Sequence, residues 1–268
     1  MTKRTSYVAK TPDQKGIVSY TDEEHAVWRD LYAQQIPSNA KYSANAYLSG
    51  LDMLSMSDQF IPQCHDITER LMPLTGWSVT PVPALVSFNQ FFKTLSEKTF
   101  PAASFIRSRA DFNYVKEPDI FHEIFGHAPL LTNPGFAYFT EVIGRLGMQV
   151  QPADYSWLIR LYWFTIEFGL IKQNGSYKAL GSGLTSSPTE LIYSVDSSVP
   201  ERREFNIMDI LRTPYRIDIH QPIYYVIDNI DDLFKAAERD LLSDIKAAQS
   251  LGLFQPTFAP LQETELTV

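Results

Sequence analysis

Apolar residues recur at helical spacing along most of this chain. Residues 21–24, Thr-Asp-Glu-Glu, have the pattern of a capping box, and apolar positions follow at the three- and four-residue intervals of one helix face. Residues 154–173 are apolar on almost every side, which predicts a fully buried helix. The same periodicity predicts further helices over residues 43–57, 64–73, 135–147 and 231–250, and one that begins at Ser87.

Shorter stretches favour extended chain. Val79, Pro81 and Pro83 favour extended chain within residues 77–86. Residues 222–227, mostly β-branched and aromatic, are the best strand candidate. Glycines punctuate residues 178–184, which predicts a turn or a short strand. The whole pattern predicts a mainly α single domain with a small β-sheet, an α+β fold, preceded by a flexible N-terminal arm over residues 1–20.

Composition narrows the class of protein. With 268 residues, 44% of them hydrophobic and 13% aromatic, the chain can bury a sizeable core. The net charge of −8, without an evident basic face, argues against nucleic acid as a partner. Cys64 is the only cysteine, which excludes an intramolecular disulfide and favours the cytoplasm. No apolar run approaches the roughly 20 residues that cross a membrane, and no secretory signal is evident.

Two of the five histidines, His122 and His127, lie in residues 118–127, where most of the other residues are apolar. A buried imidazole without a partner costs about 1–3 kcal/mol, so one shared metal ion is the simplest partner for both. Glu167 is the only charged residue in the apolar residues 161–170, and a buried carboxylate also needs a cation. Two imidazoles and one carboxylate are the facial triad of non-haem iron(II) oxygenases, which leaves open positions on the metal.

The spacing of the two histidines leaves alternatives open. On an ideal α-helix, residues five apart point about 140° away from each other, so the metal hypothesis needs Gly126 to end or distort the helix. Two unrelated core histidines are the plainer interpretation. A zinc hydrolase with Glu123 as its base is a further alternative, although its motif requires histidines four residues apart.

Four ordered motifs resemble one family. They are Pro118-Asp119-x-x-His122-Glu123-x-x-Gly126-His127, Tyr162-Trp163-Phe164-Thr165-x-Glu167-Phe168-Gly169-Leu170, Gly181-x-Gly183-Leu184-x-Ser186-Ser187 and Gln221-Pro222-x-Tyr224-Tyr225-Val226. Together they resemble the tetrahydropterin-dependent aromatic amino acid hydroxylases. The resemblance implies a catalytic domain over residues 21–268. It also implies a monooxygenase that uses dioxygen, iron(II) and a tetrahydropterin, either tetrahydrobiopterin or a bacterial analogue.

The resemblance assigns roles to individual positions. It implies that His122, His127 and Glu167 are the catalytic metal ligands. The positions that match the pterin site are Ala84, Val86, Phe91 and Glu123. Animal members carry glycine and serine where this chain has Ala84 and Phe88. The positions that match the substrate site are Arg107, which would hold the substrate carboxylate, Asp119, which would orient that arginine, and Tyr114, Pro118, Trp163, Phe168, Gly183 and Ser186.

Two positions bear on the choice of substrate. Trp163 is what the family places in phenylalanine and tyrosine hydroxylases, whereas tryptophan hydroxylases carry a smaller aromatic residue there. Ile217 falls near a position where tyrosine hydroxylases place an acid, and an apolar side chain gives a phenol no partner. We therefore expect L-phenylalanine to be converted to L-tyrosine, with tryptophan as the alternative substrate.

The same resemblance bears on assembly. Animal members use a regulatory domain and a long heptad helix for activation and tetramer formation, and neither fits before Thr21 or after Ser250. We therefore expect a monomer or a small homo-oligomer. A non-catalytic binding protein on the same fold is a third class of hypothesis, against which the intact set of predicted ligands argues.

Overall fold

The computed structural model of the chain describes residues 7–113, 115 and 117–259, and helices dominate it. The first helices are α1 Asp22–Tyr42, α2 Asn45–Met53, α3 Cys64–Thr75 and α4 Phe88–Ser96. The later ones are α5 Ala128–Leu131, α6 Pro134–Gly147, α7 Tyr155–Tyr162, α8 Ser182–Thr185, α9 Glu190–Asp196, α10 Ile207–Arg212, α11 Asp231–Ala237 and α12 Leu241–Leu251. Two π-helices, Phe121–His127 and Trp163–Glu167, lie directly before α5 and directly after α7. Single 3-10 turns occur at Arg109–Asp111 and Pro152–Asp154.

Local sequence explains where several helices begin. The Thr21 side chain accepts from the Glu24 backbone and the Glu24 side chain accepts from the Thr21 backbone, so the predicted capping box starts α1. Ser87 caps α4 by accepting from the Gln90 backbone, as predicted. Asn133 caps α6 in the same way, and a proline occupies the first turn of that helix.

The strands form two small sheets. They are β1 Ser78–Val82, β2 Thr99–Ala103, β3 Leu170–Gln173, β4 Ser176–Ala179, β5 Glu201–Glu204 and β6 Ile223–Ile227. Strand β1 pairs in parallel with β2, and the other sheet has the order β4-β3-β6-β5. Positive φ angles at Asn174 and Gly175 close the β3–β4 hairpin, a turn that favours these two residue types. All five residues of β6 are buried, which agrees with the strand predicted over residues 222–227.

Three sequence-based element predictions need correction. The helix predicted over residues 154–173 is α7 and a π-helix, and then strand β3 from Leu170. A short apolar run does not distinguish a buried helix from a buried strand, and pairing with β4 and β6 decides the outcome here. The helix predicted over residues 231–250 breaks between α11 and α12, where Asp240 caps the second helix. Residues 178–184, predicted as a turn or a short strand, include the end of β4 and the start of α8.

An aromatic core supports the first π-helix. Phe121 and Phe125 stack with ring centroids 4.6 Å apart, and Trp28 of α1 packs edge-on against Phe121. Tyr47 of α2 donates to the Phe125 carbonyl at 2.8 Å, so one backbone group of this unusual helix has a buried partner. Cys64 of α3 is buried and free. The core therefore fixes the segment that carries both histidines.

Residues 7–20, the described part of the predicted arm, contact the domain. Ser104 donates to the Lys10 carbonyl at 2.6 Å, and Tyr20 donates to the Ser104 carbonyl at 3.0 Å. Val18 is buried and exchanges two hydrogen bonds with the Gln63 side chain. The division of the chain at residue 20 stays a prediction. Within the described residues, every helix is too short or too polar to reach across a bilayer.

Candidate active site

The two histidines meet because their segment is a π-helix. The Nε2 atoms of His122 and His127 lie 3.1 Å apart. A π-helix repeats from residue i to residue i+5, so it places side chains five positions apart on one face. The 140° separation predicted for an α-helix therefore does not apply, and the sequence pattern alone could not show this.

The helix around Gly126 is distorted into a π-helix rather than ended, which is the second of the two predicted options. The π-helix runs through it to His127 and continues into α5, so the glycine does not end the helix. A Cβ atom at Gly126 would lie 3.0 Å from the Ser182 carbonyl oxygen and 3.3 Å from the Ser182 Cβ. Glycine is thus needed here because α8 packs closely against the histidine helix.

Glu167 completes the cluster from the second π-helix. Its Oε1 lies 3.0 Å from His127 Nε2, and its Oε2 lies 3.7 Å from His122 Nε2. Ligand bonds of about 2.1 Å at right angles separate donor atoms by about 3 Å. The two nitrogens, and His127 with the nearer oxygen of Glu167, therefore have the spacing of neighbouring ligands on one divalent ion. The contact of His122 with the other oxygen is longer, at 3.7 Å, and the donor set fits iron(II).

The electrostatics of the cluster suit metal ligands. Burial lowers the pKa of His122, Glu167 opposes the shift and His127 adds to it, and the resulting pKa of about 4 leaves the ring neutral at pH 7. Burial by itself would raise the pKa of Glu167, but His127, His122 and the Ser182 hydroxyl outweigh it and lower that pKa to about 2. Neutral imidazoles and an ionised carboxylate are the protonation states that bind a metal ion.

Glu123 is a second carboxyl group near the histidines. Ligand atoms of His122, Glu123 and His127 all lie within 4.8 Å of one another, so distance alone offers Glu123 as another candidate ligand. The closer contacts of Glu167 favour Glu167. Burial, and then the charges of Glu167 and Asp119, raise the pKa of Glu123 well above its ordinary value, which makes it a poor ligand.

Serine hydroxyls surround the three predicted ligands. Ser186 lies with its Oγ 2.9 Å from His122 Nδ1, where it orients the ring of the first histidine. Ser182 lies with its Oγ 3.0 Å from both His127 Nε2 and Glu167 Oε2. Sequence reasoning identified Ser186 but missed Ser182. The available signal was a serine between Gly181 and Gly183, at a position that the third motif leaves unspecified.

Two cavities open onto the cluster. The Arg107 cavity has a volume of about 440 Å³, and its walls include the predicted substrate residues Arg107, Pro118, Trp163, Phe168, Gly183 and Ser186. The Glu123 cavity has a volume of about 400 Å³, and its walls include the predicted pterin residues Ala84, Val86, Phe91 and Glu123. His122, Glu167, Trp163 and Pro118 line both cavities, so the two spaces meet at the predicted metal ligands.

One of the described substrate residues, Asp119, lines neither cavity. Asp119 is fully buried behind Arg107. Tyr114 lies outside the residues that the structure describes. The structure thus groups the other predicted residues into two sets, one for each cavity.

Arg107 and Asp119 form a buried bidentate pair. Arg107 donates from Nε to Asp119 Oδ2 at 2.8 Å and from Nη2 to Oδ1 at 2.9 Å. Asp119 also accepts from the backbone N–H groups of Arg107 and His122 at 2.9 and 3.2 Å. Burial opposes ionisation of Asp119, but the guanidinium and these hydrogen bonds lower its pKa below the ordinary value. The pair thus connects the cationic end of the Arg107 cavity to the first histidine.

Trp163 forms a rigid wall that both cavities share. Its ring lies between Phe168 and Tyr215, with centroid distances of 4.4 and 4.5 Å. Its indole N–H donates to Gln221 Oε1 at 3.1 Å. Sequence reasoning did not assign Tyr215 or Gln221 to the site. Gln221 belongs to the fourth motif but was given no role in the site, and Tyr215 lies outside the four motifs.

Comparisons with known proteins agree with this geometry. A family model described as biopterin-dependent aromatic amino acid hydroxylase matches residues 2–252. A phenylalanine-4-hydroxylase of Vibrio cholerae is 45% identical over 97% of this chain and 90% of its own length. One of Pseudomonas aeruginosa is 44% identical over 97% of this chain and 99% of its own length. The solved structure of the cold-active phenylalanine hydroxylase from Colwellia psychrerythraea superposes with a TM-score of 0.92 at 43% identity, covering 94% of this chain and 97% of that one.

Proposed function

Since the chain belongs to the biopterin-dependent aromatic amino acid hydroxylases, we propose that it is a phenylalanine 4-monooxygenase, which converts L-phenylalanine to L-tyrosine. The observation that carries the proposal is the meeting of two cavities at the cluster of His122, His127 and Glu167. One cavity has the size and chemistry for an aromatic amino acid, and the other for a flat heterocycle.

Arg107 is the residue that recognises the substrate carboxylate in this proposal. Asp119 occupies its Nε and one hydrogen of Nη2, and the Phe112 carbonyl accepts from Nη1 at 3.5 Å. A guanidinium has five N–H donors, so one hydrogen on each terminal nitrogen remains. These two point from the outer end of the group, where they can grip a carboxylate with two parallel hydrogen bonds.

The aromatic walls hold the substrate ring. Trp163, Phe168 and Pro118 line the Arg107 cavity next to His122 and Glu167. A ring bound through its carboxylate at Arg107 would then lie between apolar walls with its edge toward the metal ligands. Ile217 and the acid Asp218 both line this cavity, so the choice of phenylalanine over tyrosine rests on the similarity to the phenylalanine-4-hydroxylases.

The Glu123 cavity holds the tetrahydropterin in this proposal. Phe91 supplies an aromatic face for stacking, and the Glu123 carboxyl is a polar group in an otherwise mostly apolar space. Ala84 and Val86 line the same cavity. The Phe88 side chain, where animal members carry serine, lines it too and enlarges its apolar surface.

His122, His127 and Glu167 would hold iron(II) through two imidazoles and one carboxylate. When bound, iron(II) and the tetrahydropterin together supply the electrons that activate dioxygen. The residues of this chain bind and orient the reactants. Arg107 positions the amino acid, Trp163 separates the aromatic walls of the two cavities, and Ser186 fixes the His122 ring. The apolar walls exclude water from the reaction, which limits side reactions of activated oxygen.

Assembly and location stay predictions. We propose a monomer or a small homo-oligomer, which light scattering of the purified protein would check. The cytoplasmic location expected from the single cysteine is likewise a prediction.

Reconstitution tests the function directly. The protein is loaded anaerobically with iron(II), given phenylalanine and a tetrahydropterin, and then exposed to air while tyrosine and dioxygen are quantified together. Tyrosine formed in proportion to the pterin consumed would support the proposal. Pterin oxidation without tyrosine would point to tryptophan as the substrate. The absence of pterin oxidation with every aromatic amino acid would contradict the proposal.

A further inference from the structure

Ser182 is the hydroxyl that contacts two of the three predicted ligands at once. Its Oγ lies 3.0 Å from Glu167 Oε2 and 3.0 Å from His127 Nε2, and it lies 3.1 Å from the Ile166 carbonyl oxygen. The side chain is buried, with 1% of its surface exposed. Water therefore does not compete for these contacts.

The surrounding glycines bring this hydroxyl to the ligands. A Cβ atom on Gly181 would lie 2.1 Å from the Glu167 carbonyl oxygen, and one on Gly183 would lie 2.8 Å from the Phe168 ring. On the other side, Gly126 allows the Ser182 backbone to approach the histidine helix. Close packing thus excludes side chains at all three glycines and leaves room for one short polar side chain between them.

The hydroxyl has a single hydrogen and three neighbouring acceptors. A metal ion bound by His127 takes the lone pair of Nε2, which removes that atom as an acceptor. Glu167 Oε2 and the Ile166 carbonyl then remain. A hydrogen bond to an ionised carboxylate is roughly twice as strong as one to a neutral carbonyl, so Glu167 is the favoured acceptor.

We propose that Ser182 is a positioning residue that holds Glu167 Oε2 and leaves Oε1 alone to bind the metal ion, an inference that rests on the iron site proposed above. Oε1 makes the shorter contact with a predicted ligand, 3.0 Å to His127 Nε2, whereas Oε2 lies 3.7 Å from His122 Nε2. A carboxylate that bound through both oxygens would occupy one more position on the metal. By restraining Oε2, Ser182 keeps that position open for the reactants.

The test compares Ser182→Ala with Ser194→Ala in the full chain. Ser194 is a matched control because it is also buried, and its hydroxyl donates only to the Leu191 carbonyl among the described residues, at 2.9 Å. The probe is cobalt(II), added anaerobically without pterin or amino acid. Two properties are measured, namely the dissociation constant by competition with a chelator and the visible absorption of the bound ion. Circular dichroism of the metal-free proteins checks that each variant is folded.

The proposal predicts a change in Ser182→Ala alone. Its cobalt(II) affinity falls about 10- to 100-fold, the usual effect of losing a hydrogen bond to a metal ligand. Its visible absorption weakens as the second carboxylate oxygen raises the coordination number, while Ser194→Ala matches the wild type. A spectrum and affinity in Ser182→Ala equal to those of the wild type would overturn this inference and leave the proposed function standing. A wild type that binds no cobalt(II) would overturn both.

Discussion

The Nε2 atoms of His122 and His127 lie 3.1 Å apart, although the residues are five positions apart in the chain. The π-helix that produces this contact places both rings toward Glu167. The neutral His122 ring, the His127 ring and the ionised Glu167 carboxylate make a site that a cation stabilises. The cluster is therefore organised for a metal ion before any ion binds.

Removing a ligand should abolish metal binding and leave the fold. We expect Glu167→Ala and His122→Ala each to lose iron(II) and phenylalanine hydroxylation, because two ligands do not hold the ion at neutral pH. The aromatic core around Phe121 and Phe125 does not depend on these side chains, so the far-ultraviolet circular dichroism should stay as in the wild type. Metal analysis after dialysis is the measurement. Full iron stoichiometry in both variants would show that the assignment of ligands is wrong.

The buried ion pair of Arg107 and Asp119 leads to a prediction about stability. Asp119→Asn leaves the Arg107 charge buried without its counter-ion, which should lower the free energy of unfolding by about 3–5 kcal/mol. It should also raise the KM for phenylalanine, because Asp119 holds the guanidinium at the end of the cavity. Urea unfolding and steady-state kinetics are the measurements.

A matched control exists on the surface. Asp244→Asn breaks a bidentate pair with Arg239, whose side chain is half exposed, and should cost less than about 1 kcal/mol. If the two variants lost equal stability, the buried pair would have no special role.

The three predicted metal ligands could be identified from the sequence alone, but the shape of the helix that carries the histidines could not. His122, His127 and Glu167 stood out because a charge or an imidazole in an apolar segment needs a partner, and that argument is local. The π-helix was not predictable, since the apolar spacing of residues 118–127 fits an α-helix equally well. The helix predicted over residues 154–173 included β3 because a buried strand and a buried helix have the same composition.

Contacts between distant segments account for the residues that were missed. Gln221 accepts from the Trp163 indole, and Tyr215 stacks on the same ring, yet both residues lie in a later loop. The role of Ser182 could not be predicted, because the sequence does not show which carboxylate lies beside α8. Such pairings depend on the tertiary fold, whereas the roles of Arg107 and Asp119 came from a motif match.

Trp163 gives a prediction about substrate choice. Trp163→Phe widens the Arg107 cavity and removes the indole that donates to Gln221. The ratio of kcat/KM for tryptophan to that for phenylalanine should rise by about 10-fold or more, since a change of this size in an apolar pocket alters discrimination by about 1–3 kcal/mol. Trp157→Phe is the control, because Trp157 packs under Arg160 and lines neither cavity. An unchanged ratio in Trp163→Phe would mean that the wall does not set the substrate.

Gly126 gives a prediction about packing. In Gly126→Ala the new methyl group meets the Ser182 carbonyl oxygen at 3.0 Å, so α8 must move away from the histidine helix. We expect a loss of about 1–3 kcal/mol in the free energy of unfolding, together with weaker metal binding. Gly135→Ala is the control, because its methyl group would meet a side-chain methyl of Ile230 at 3.2 Å, away from the predicted ligands. Equal metal affinity in both variants would contradict the role of Gly126.

Glu190 gives a prediction about pH. This carboxyl group is buried, and its Oε1 accepts from the Gln221 backbone at 2.7 Å and from the Tyr224 hydroxyl at 2.8 Å. Burial raises its pKa from 4.5 to about 7, although the two hydrogen bonds oppose the shift. Between these values the folded protein keeps a proton that the unfolded chain has released. The stability from this group is therefore complete below pH 4.5 and is lost as the pH rises to about 7.

Glu190→Gln removes that titration while keeping an oxygen acceptor. At both pH values the free energy of unfolding of the wild type is subtracted from that of the variant. This difference should increase by about 3 kcal/mol from pH 5 to pH 8, since each unit of pKa shift corresponds to roughly 1.4 kcal/mol. Urea unfolding of both proteins at the two pH values measures it, and titrations common to both cancel in the difference. If the difference in the free energy of unfolding were the same at both pH values, Glu190 would already be ionised in the folded protein at pH 5. The hydrogen bonds from Tyr224 and Gln221 would then stabilise a buried charge.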